Sequence, residues 1–189
     1  MRRFLATLLP LVAAVWLAAP ASAPAQSSGA ADLRGAFDYN LLKAAFEFNF
    51  VKFTEWPEDM LAAGAPLTMC VFDDRLLAVA LERTVSGHTI GGHELRVSSL
   101  GPGDSARACH VVDVGGLKPK ARADLLADLK RTAVLTVSDA PVFARQGGIA
   151  ELYAEGNQIR FAVNLAAAQR ARLKLSAKLL SLAKLVEGD

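Results

Sequence analysis

The stretch TVSDAPVFARQGGIAELYAEGNQIRFAVN, residues 136–164, decides the fold. It continues an apolar, β-branched run from Val134 to Val137, whose lack of alternation predicts a strand covered on both faces. The pair Gly147-Gly148 follows a polar turn, and glycine permits the backbone angles of a sharp corner. Ile149 to Tyr153 and Gln158 to Val163 flank a Gly-Asn turn, so a β-hairpin is predicted there.

The segment after Asn164 has the spacing of an amphipathic helix. Its apolar residues recur every three or four positions, and lysines stand among them. The apolar set is Leu173, Leu175, Leu179, Leu180, Leu182, Ala183 and Val186. We therefore predict one long helix that ends near Val186.

Strands and helices alternate through the rest of the chain. The first helix is predicted from Tyr39 to Phe53 with an aromatic face, and Trp56-Pro57 ends it because proline disfavours a helical residue before it. Glu47, Glu55 and Glu58 are interpreted as its solvated side. Further strands are predicted at Leu67 to Phe72, Glu94 to Ser99 and Cys109 to Val114, and further helices from an Asp73 cap to Arg83 and from Pro119 to Arg131. This order indicates an α/β fold, a single-domain sandwich with a mixed β-sheet flanked by helices.

The N-terminus has the composition of a secretory signal peptide. Arg2 and Arg3 precede an apolar segment, and Ala23-Pro24-Ala25 supplies small residues before a cut at Gln26. We predict a signal peptide at 1–25, a flexible leader at 26–37 and the α/β domain at 38–189. A retained anchor is the alternative, although the apolar run is short for a membrane span.

Removal of Arg2 and Arg3 takes the net charge from +2 to 0. A balanced chain without a basic stripe gives no indication of nucleic-acid binding. No later segment is apolar enough to predict a membrane span. We expect an exported, periplasmic protein.

Two cysteines, Cys70 and Cys109, remain in a chain bound for an oxidising compartment. An even count there favours a disulfide, and each cysteine adjoins a predicted strand. Two buried free cysteines are the alternative.

The chain lacks a recognisable catalytic pattern. His88 and His93 flank the Gly91-Gly92 turn without a third ligand, so a surface role is favoured over metal binding. Ser138-Asp139 has no Gly-x-Ser-x-Gly context, and Gly147-Gly148 is not followed by a phosphate-loop pattern. Cys109 and His110 would point to opposite faces of a strand. We predict no enzyme, no cofactor and no metal.

Several motifs nevertheless carry a family resemblance. They are Lys43-Ala44-Ala45-Phe46, Lys52-Phe53-Thr54-Glu55-Trp56-Pro57, Cys70-Val71, Cys109-His110-Val111-Val112, Leu135-Thr136-Val137-Ser138-Asp139, Phe143, Gly147-Gly148, Arg160-Phe161, Asn164-Leu165 and Leu173-Lys174-Leu175-Ser176. Together they resemble the YfiR-type periplasmic proteins from Leu42 to Val186. Arg172 departs from the pattern, because the family commonly has glycine there.

The resemblance implies a function by protein–protein contact. The best-known members of this family bind the periplasmic part of an inner-membrane diguanylate cyclase and repress it, and an OmpA-like outer-membrane lipoprotein relieves the repression. Cyclic di-GMP and biofilm formation then rise. The resemblance also implies a homodimer and a Cys70–Cys109 disulfide.

The resemblance further implies a set of structural residues. The contact surface is a separate prediction, because bulky aromatic residues at the spacing of the first helix are usually core and a partner-binding face is the alternative. The structural signature is Trp56, Pro57, Ser138, Asp139, Gly147, Gly148, Arg160 and Asn164, and the predicted partner or ligand surface is Phe46, Phe50, Phe143 and Arg160. An alternative function is a periplasmic small-molecule sensor or solute-binding domain, with a pocket near Ser138, Asp139 and Arg160 at the carboxyl ends of the strands.

Overall fold

The computed structural model describes residues 28–188, and the predicted signal peptide and its cleavage site lie outside the described residues. The helices of this range are α1 Ser28–Lys52, α2 Arg75–Val85, α3 Pro119–Leu129, α4 Leu165–Arg170 and α5 Ala177–Leu182. The strands are β1 Thr54–Glu55, β2 Leu67–Phe72, β3 Thr89–Ile90, β4 His93–Leu100, β5 Val111–Asp113, β6 Leu135–Ser138, β7 Ala150–Glu155, β8 Gln158–Val163, β9 Lys174–Leu175 and β10 Lys184–Leu185. Within residues 28–188, no helix has the length and apolarity needed to cross a membrane.

A mixed β-sheet forms the centre of the molecule. In the described chain it has eight strands, in the order β10-β8-β7-β6-β5-β2-β4-β3. The strands β4, β2, β5, β6 and β7 run parallel to one another. At the two sides of this set, β3 runs antiparallel to β4 and β8 antiparallel to β7, and β10 runs parallel to β8. The short strands β1 and β9 pair separately. The predicted α/β fold with a mixed sheet is confirmed.

Helices cover both faces of this sheet, so the domain has three layers. Along β2, Leu67, Met69 and Val71 pack into the cluster that contains buried residues of α1 and α2. The alternate residues Cys70 and Phe72 pack into a second cluster with side chains of α3. Because both faces are covered, β2 needs no polar alternation.

The predicted β-hairpin and the predicted turn at Gly91-Gly92 are confirmed. β7 and β8 pair in register, with Gly156 at φ 59° in the turn between them. Gly91 and Gly92 both have positive φ, at 60° and 86°, in the turn between β3 and β4. A two-residue turn of this hand requires φ values that glycine adopts without a steric penalty.

The N-terminal side of the domain differs from the prediction in two places. The first helix begins at Ser28 rather than Tyr39, so the leader expected at 26–37 is helical from that residue. The cap of α2 is Asp74 rather than Asp73, since Asp74 Oδ1 accepts the Leu77 N–H at 2.9 Å. Asp73 instead makes the turn after β2, with φ at 51°.

The predicted single C-terminal helix is wrong. α4 ends after Arg170 in a Schellman motif, in which Arg172 N–H donates to Gln169 O and Leu173 N–H donates to Ala168 O. Arg172 takes the left-handed position of this motif, with φ at 58°. The chain then pairs β9 with β1 and restarts a helix at the Ser176 cap. The leucines keep helical spacing through residues 171–176, although the Schellman motif and the Ser176 cap interrupt the helix there.

Candidate functional site

A cluster of charged side chains lies at the carboxyl ends of β5 and β6, beneath α1. Asp113 is the last residue of β5, and Asp139 follows the last residue of β6. These parallel strands are neighbours, so their ends meet at one edge of the sheet. Lys43 and Glu47 stand one helical turn apart on α1 and face this edge. We call Tyr39, Lys43, Glu47, Asp113 and Asp139 the charge cluster.

Lys43 is the central cation of the cluster. Its Nζ lies 3.5 Å from Asp113 Oδ2 and 3.3 Å from Asp139 Oδ2. The Lys43 and Asp113 side chains are buried, whereas that of Asp139 is 28% exposed. Burial alone would lower the pKa of Lys43, but the negative charges of Asp113 and Asp139 outweigh it and raise that pKa.

Tyr39 closes the solvent side of the cluster. Its hydroxyl donates a hydrogen bond of 3.0 Å to Asp139 Oδ2. Burial and the Asp139 charge raise the pKa of Tyr39 to about 12, so the phenol keeps its proton and remains a donor. Asp139 thus receives contacts from two residues of α1.

Glu47 is fully buried, and its predicted place on the solvated side of the helix is wrong. It belongs to the buried stripe of α1, which contains Asn40, Lys43, Ala44, Glu47, Phe50 and Val51. Among the described residues, neither Glu47 carboxyl oxygen nor Asp113 Oδ2 has a conventional hydrogen-bond donor. Burial, and then the negative charge of Asp113, raise the pKa of Glu47 well above its ordinary value. Both effects favour the protonated form of Glu47.

Asp113 is buried like Glu47, but Lys43 and the Gly115 N–H partly compensate for the loss of water around its carboxylate. Burial raises its pKa, while the Lys43 ammonium and the Gly115 N–H, which donates to Asp113 Oδ1 at 2.8 Å, act in the opposite direction. A Cβ at Gly115 would lie 2.7 Å from Asp139 Oδ1. Glycine at this position therefore lets the β5 loop pass close to both carboxylates.

In the form with Glu47 protonated and Asp113 ionised, the cluster holds one ammonium and two carboxylates. The outer carboxylate, Asp139, reaches solvent, which disperses the unbalanced negative charge. The arrangement can fix α1 to two strand ends and can retain a proton on a buried carboxyl group.

The serine and the glycines of the organising stretch have structural partners. Ser138 Oγ accepts the Ala140 N–H at 3.1 Å and so shapes the turn after β6. Gly147 takes φ at 96°, and the ring of Phe143 occupies the position where a Cβ of Gly148 would lie. Asn164 caps α4 through the Ala167 N–H and also donates to Ala144 O at 2.8 Å.

Trp56 and His110 form a second polar network at the other end of the sheet. Trp56 Nε1 donates to His110 O at 3.1 Å, and His110 Nδ1 accepts the Thr68 N–H at 3.0 Å. His110 Nε2 must then carry the proton and donate to Met60 O at 3.2 Å. Burial lowers the pKa of His110, so its ring stays neutral. Pro57 O accepts the Met60 N–H in the turn beside this network.

Cys70 and Cys109 form a disulfide with a Cα–Cα distance of 6.0 Å. The bond joins β2 to the residue before the His110 network, on the α3 side of the sheet. The other two histidines contact backbone carbonyls, His88 at Ser86 O and His93 at Ala65 O. Within residues 28–188, no three or more His, Cys, Asp or Glu side chains converge on a metal position.

The predicted surface residues do not form one surface. Phe50 and Phe143 are buried, so they are core residues rather than contact residues. Phe46 is half-buried and packs edge-on against Phe161, with ring centroids 6.1 Å apart. Arg160 is exposed on β8 and pairs with Glu155 at 2.6 Å.

A groove of about 440 Å³ adjoins the outer end of the charge cluster. Asp139, Arg145, Glu151 and Lys184 supply its charged walls. Arg160 does not line this groove, so the predicted grouping of Ser138, Asp139 and Arg160 is not assembled here. Glu151 is already engaged, because its carboxylate accepts the Val142 and Ala144 N–H groups.

The fold and the site define a three-layer α/β domain whose first helix is fixed to the sheet by buried charges. A family model described as YfiR/HmsC-like matches residues 40–184. The chain belongs to this family, and the matched range holds Lys43, Glu47, Asp113 and Asp139. Among curated proteins, none matches the chain.

Proposed function

We propose that the protein is a periplasmic regulator that binds the periplasmic part of an inner-membrane diguanylate cyclase and holds it inactive. The observation that carries this proposal is the family match over residues 40–184. Binding would favour the inactive form of the cyclase and lower cyclic di-GMP, which limits biofilm formation. An OmpA-like outer-membrane lipoprotein would compete for the regulator and release the cyclase. The regulator itself would be a homodimer and would perform no chemistry.

The closed charge cluster supports a role by contact rather than by reaction. Its two fully buried carboxyl groups, Glu47 and Asp113, face other protein groups. The cluster holds α1 in place, and α1 presents Tyr39 and Leu42 to solvent as partly exposed apolar side chains. Leu182 and Leu185 are exposed near the C-terminus. We propose these two exposed sets as contact surfaces in place of the buried Phe50 and Phe143.

The test is deletion of the gene, followed by measurement of cyclic di-GMP and capture of cross-linked partners. We expect cyclic di-GMP to rise and wild-type protein to restore it, whereas protein lacking residues 1–25 should fail because it is not exported. The variant Leu42→Asp should restore less than Arg34→Asp, a matched change at an exposed polar position of α1. Unchanged cyclic di-GMP together with capture of no membrane cyclase would sink the proposal.

A second candidate function is the sensing of a small molecule in the periplasm. The observation that favours it is the groove beside Asp139, whose lining also includes Arg145 and Lys184. Two results together would favour this function. A ligand would stabilise the wild-type protein but not Asp139→Asn, and deletion of the gene would leave cellular cyclic di-GMP unchanged. Absence of any stabilising ligand that depends on Asp139 would count against it.

A further inference from the structure

The order of the strands creates a crevice on the other side of the sheet from the charge cluster. β2 and β5 are parallel neighbours, but the chain leaves β2 through α2 to reach β4 and leaves β5 through α3 to reach β6. These connections run in opposite directions and cover opposite faces. In open α/β sheets, ligands bind in the crevice at the carboxyl ends of the strands where such a reversal occurs.

This position holds an open crevice of about 650 Å³, within the size range of small-molecule sites. Its lining is mainly apolar and comes from the end of β2, the loop after β4 and the start of α3. The apolar lining residues are Phe72, Pro102, Leu117, Ala121 and Leu125. Phe72 also belongs to the buried cluster that contains the disulfide, so the floor is anchored to rigid structure.

Carboxylates dominate the rim of the crevice. Asp124 pairs with Lys120, and Asp128 pairs with Arg107. Within the described chain, Asp73 and Asp104 form no ion pair; Asp104 only accepts the Gly101 N–H through Oδ2.

One cation, Lys118, is among the residues that line the crevice in the described chain. Two unpaired carboxylates therefore stand against one ammonium at the mouth of an apolar crevice. Charge complementarity favours a positively charged occupant, and the apolar floor favours a compact hydrocarbon body.

We propose that this crevice binds a small organic cation that carries an amine on a compact apolar body. The amine would lie against Asp73 and Asp104, and the apolar body against Phe72, Leu117 and Leu125. This site is separate from the groove beside Asp139, and the proposal does not depend on regulation of a cyclase.

Three probes of equal shape and different charge test the proposal on the exported chain without residues 1–25. They are 1-adamantylamine, 1-adamantanemethanol and 1-adamantanecarboxylate, each titrated into labelled protein and followed by amide NMR shifts. We expect the amine to shift the amide signals of Gly101, Gly103, Asp104 and residues 116–118. It should bind about tenfold more tightly than the carboxylate, with the alcohol between them. Added salt should reduce the preference, because the rim is exposed.

Variants separate the charge from the apolar floor. Asp73→Asn with Asp104→Asn should weaken the amine to the level of the alcohol, whereas Glu82→Gln on α2, at an exposed position over the opposite face, should have no effect. Ala121→Trp should block all three probes, and Ala127→Trp, an exposed α3 position outside the crevice, should block none. The amide spectrum of each free variant is the control for folding and should match that of the wild type away from the substituted residue.

Three results would overturn the proposal. One is that the amine shifts none of the crevice amides. Another is that the carboxylate binds as tightly as the amine, which would show that the positive charge of Lys118 and the first turn of α3 outweighs the negative charge of Asp73 and Asp104. The third is that only a basic amphipathic peptide binds, in which case the crevice docks a partner segment instead of a small cation.

Discussion

Lys43 Nζ lies 3.5 Å from Asp113 Oδ2, and both side chains are almost completely removed from water. Removal of one partner of a buried ion pair leaves the other charge without compensation. Lys43→Met should therefore lower the free energy of unfolding by about 3–5 kcal/mol, as measured by urea denaturation. The control is Lys120→Met, which removes an exposed ion pair and should leave the urea midpoint unchanged. Equal effects of the two variants would contradict a stabilising role for the buried pair.

The raised pKa of Glu47 predicts a pH dependence of stability. The folded-state pKa of Glu47 is raised above its unfolded value, and that of Asp113 is raised in the same direction. The stability that the bound proton contributes is fully present below the unfolded pKa, about 4.3 for a glutamate, and is lost as the pH rises through the folded pKa. Wild-type protein should therefore become less stable from mildly acidic to alkaline pH.

Glu47→Gln tests this explanation, because glutamine keeps the shape and cannot ionise. Urea midpoints measured across this pH range should fall less steeply for Glu47→Gln than for wild type. Glu58→Gln, at an exposed position, should retain the wild-type slope. A Glu47→Gln slope equal to that of wild type would mean that Glu47 does not carry the proton.

Arg172 occupies a left-handed position at which most side chains are strained. Its φ is 58°, and its guanidinium pairs with Asp59 at 2.8 Å. Arg172→Gly and Arg172→Ala both remove the ion pair, but only glycine relieves the backbone. We expect the glycine variant to unfold with a free energy about 1 kcal/mol higher than the alanine variant. Equal stability of the two variants would contradict strain at this residue.

Gly148 lies where the Phe143 ring leaves no room for a side chain. Phe143 is buried and cannot move without disturbing the core, so Gly148→Ala should destabilise the protein by about 1–3 kcal/mol in thermal or urea unfolding. Gly35→Ala is the matched control, because Gly35 lies in α1 with no neighbouring atom within 4 Å of an added Cβ. That control should be neutral or stabilising, since alanine favours helices.

The Cys70–Cys109 disulfide closes a loop with a sequence separation of 39. The chain-entropy treatment gives about 4 kcal/mol of stabilisation for a loop of this size. Cys70→Ala with Cys109→Ala should lower the free energy of unfolding by about that amount. Thiol labelling of denatured, unreduced wild-type protein should detect no free thiol, and two reactive thiols per chain would contradict the bond.

The fold class could be predicted because the strand and turn patterns of the sequence depend on neighbouring residues. The run Val134 to Val137 lacks polar alternation, and a strand buried on both faces needs none. Gly156-Asn157 and Gly91-Gly92 specify tight turns, so the hairpin and the β3–β4 turn were correctly placed. The C-terminal helix was mispredicted, because apolar spacing does not report a left-handed residue such as Arg172.

The charge cluster could be predicted only in part. Asp113 stands inside an apolar run, and Lys43 and Glu47 share a helical face with aromatic residues, which are signals of unusual burial. The sequence does not say which strand ends meet under that face. Glu47 was therefore assigned to solvent, and Phe50 and Phe143 were assigned to a surface.

The sequence by itself determined the elements that depend on neighbouring residues: the buried strands, the hairpin turn and the start of α3 at Pro119. Only the tertiary structure decided which charges are buried. Lys43 and Asp113 are 70 positions apart, and their meeting depends on the order of β5 and β6 and on the packing of α1 across them. Burial then raises the pKa of Glu47, because a low-dielectric interior penalises a second uncompensated carboxylate.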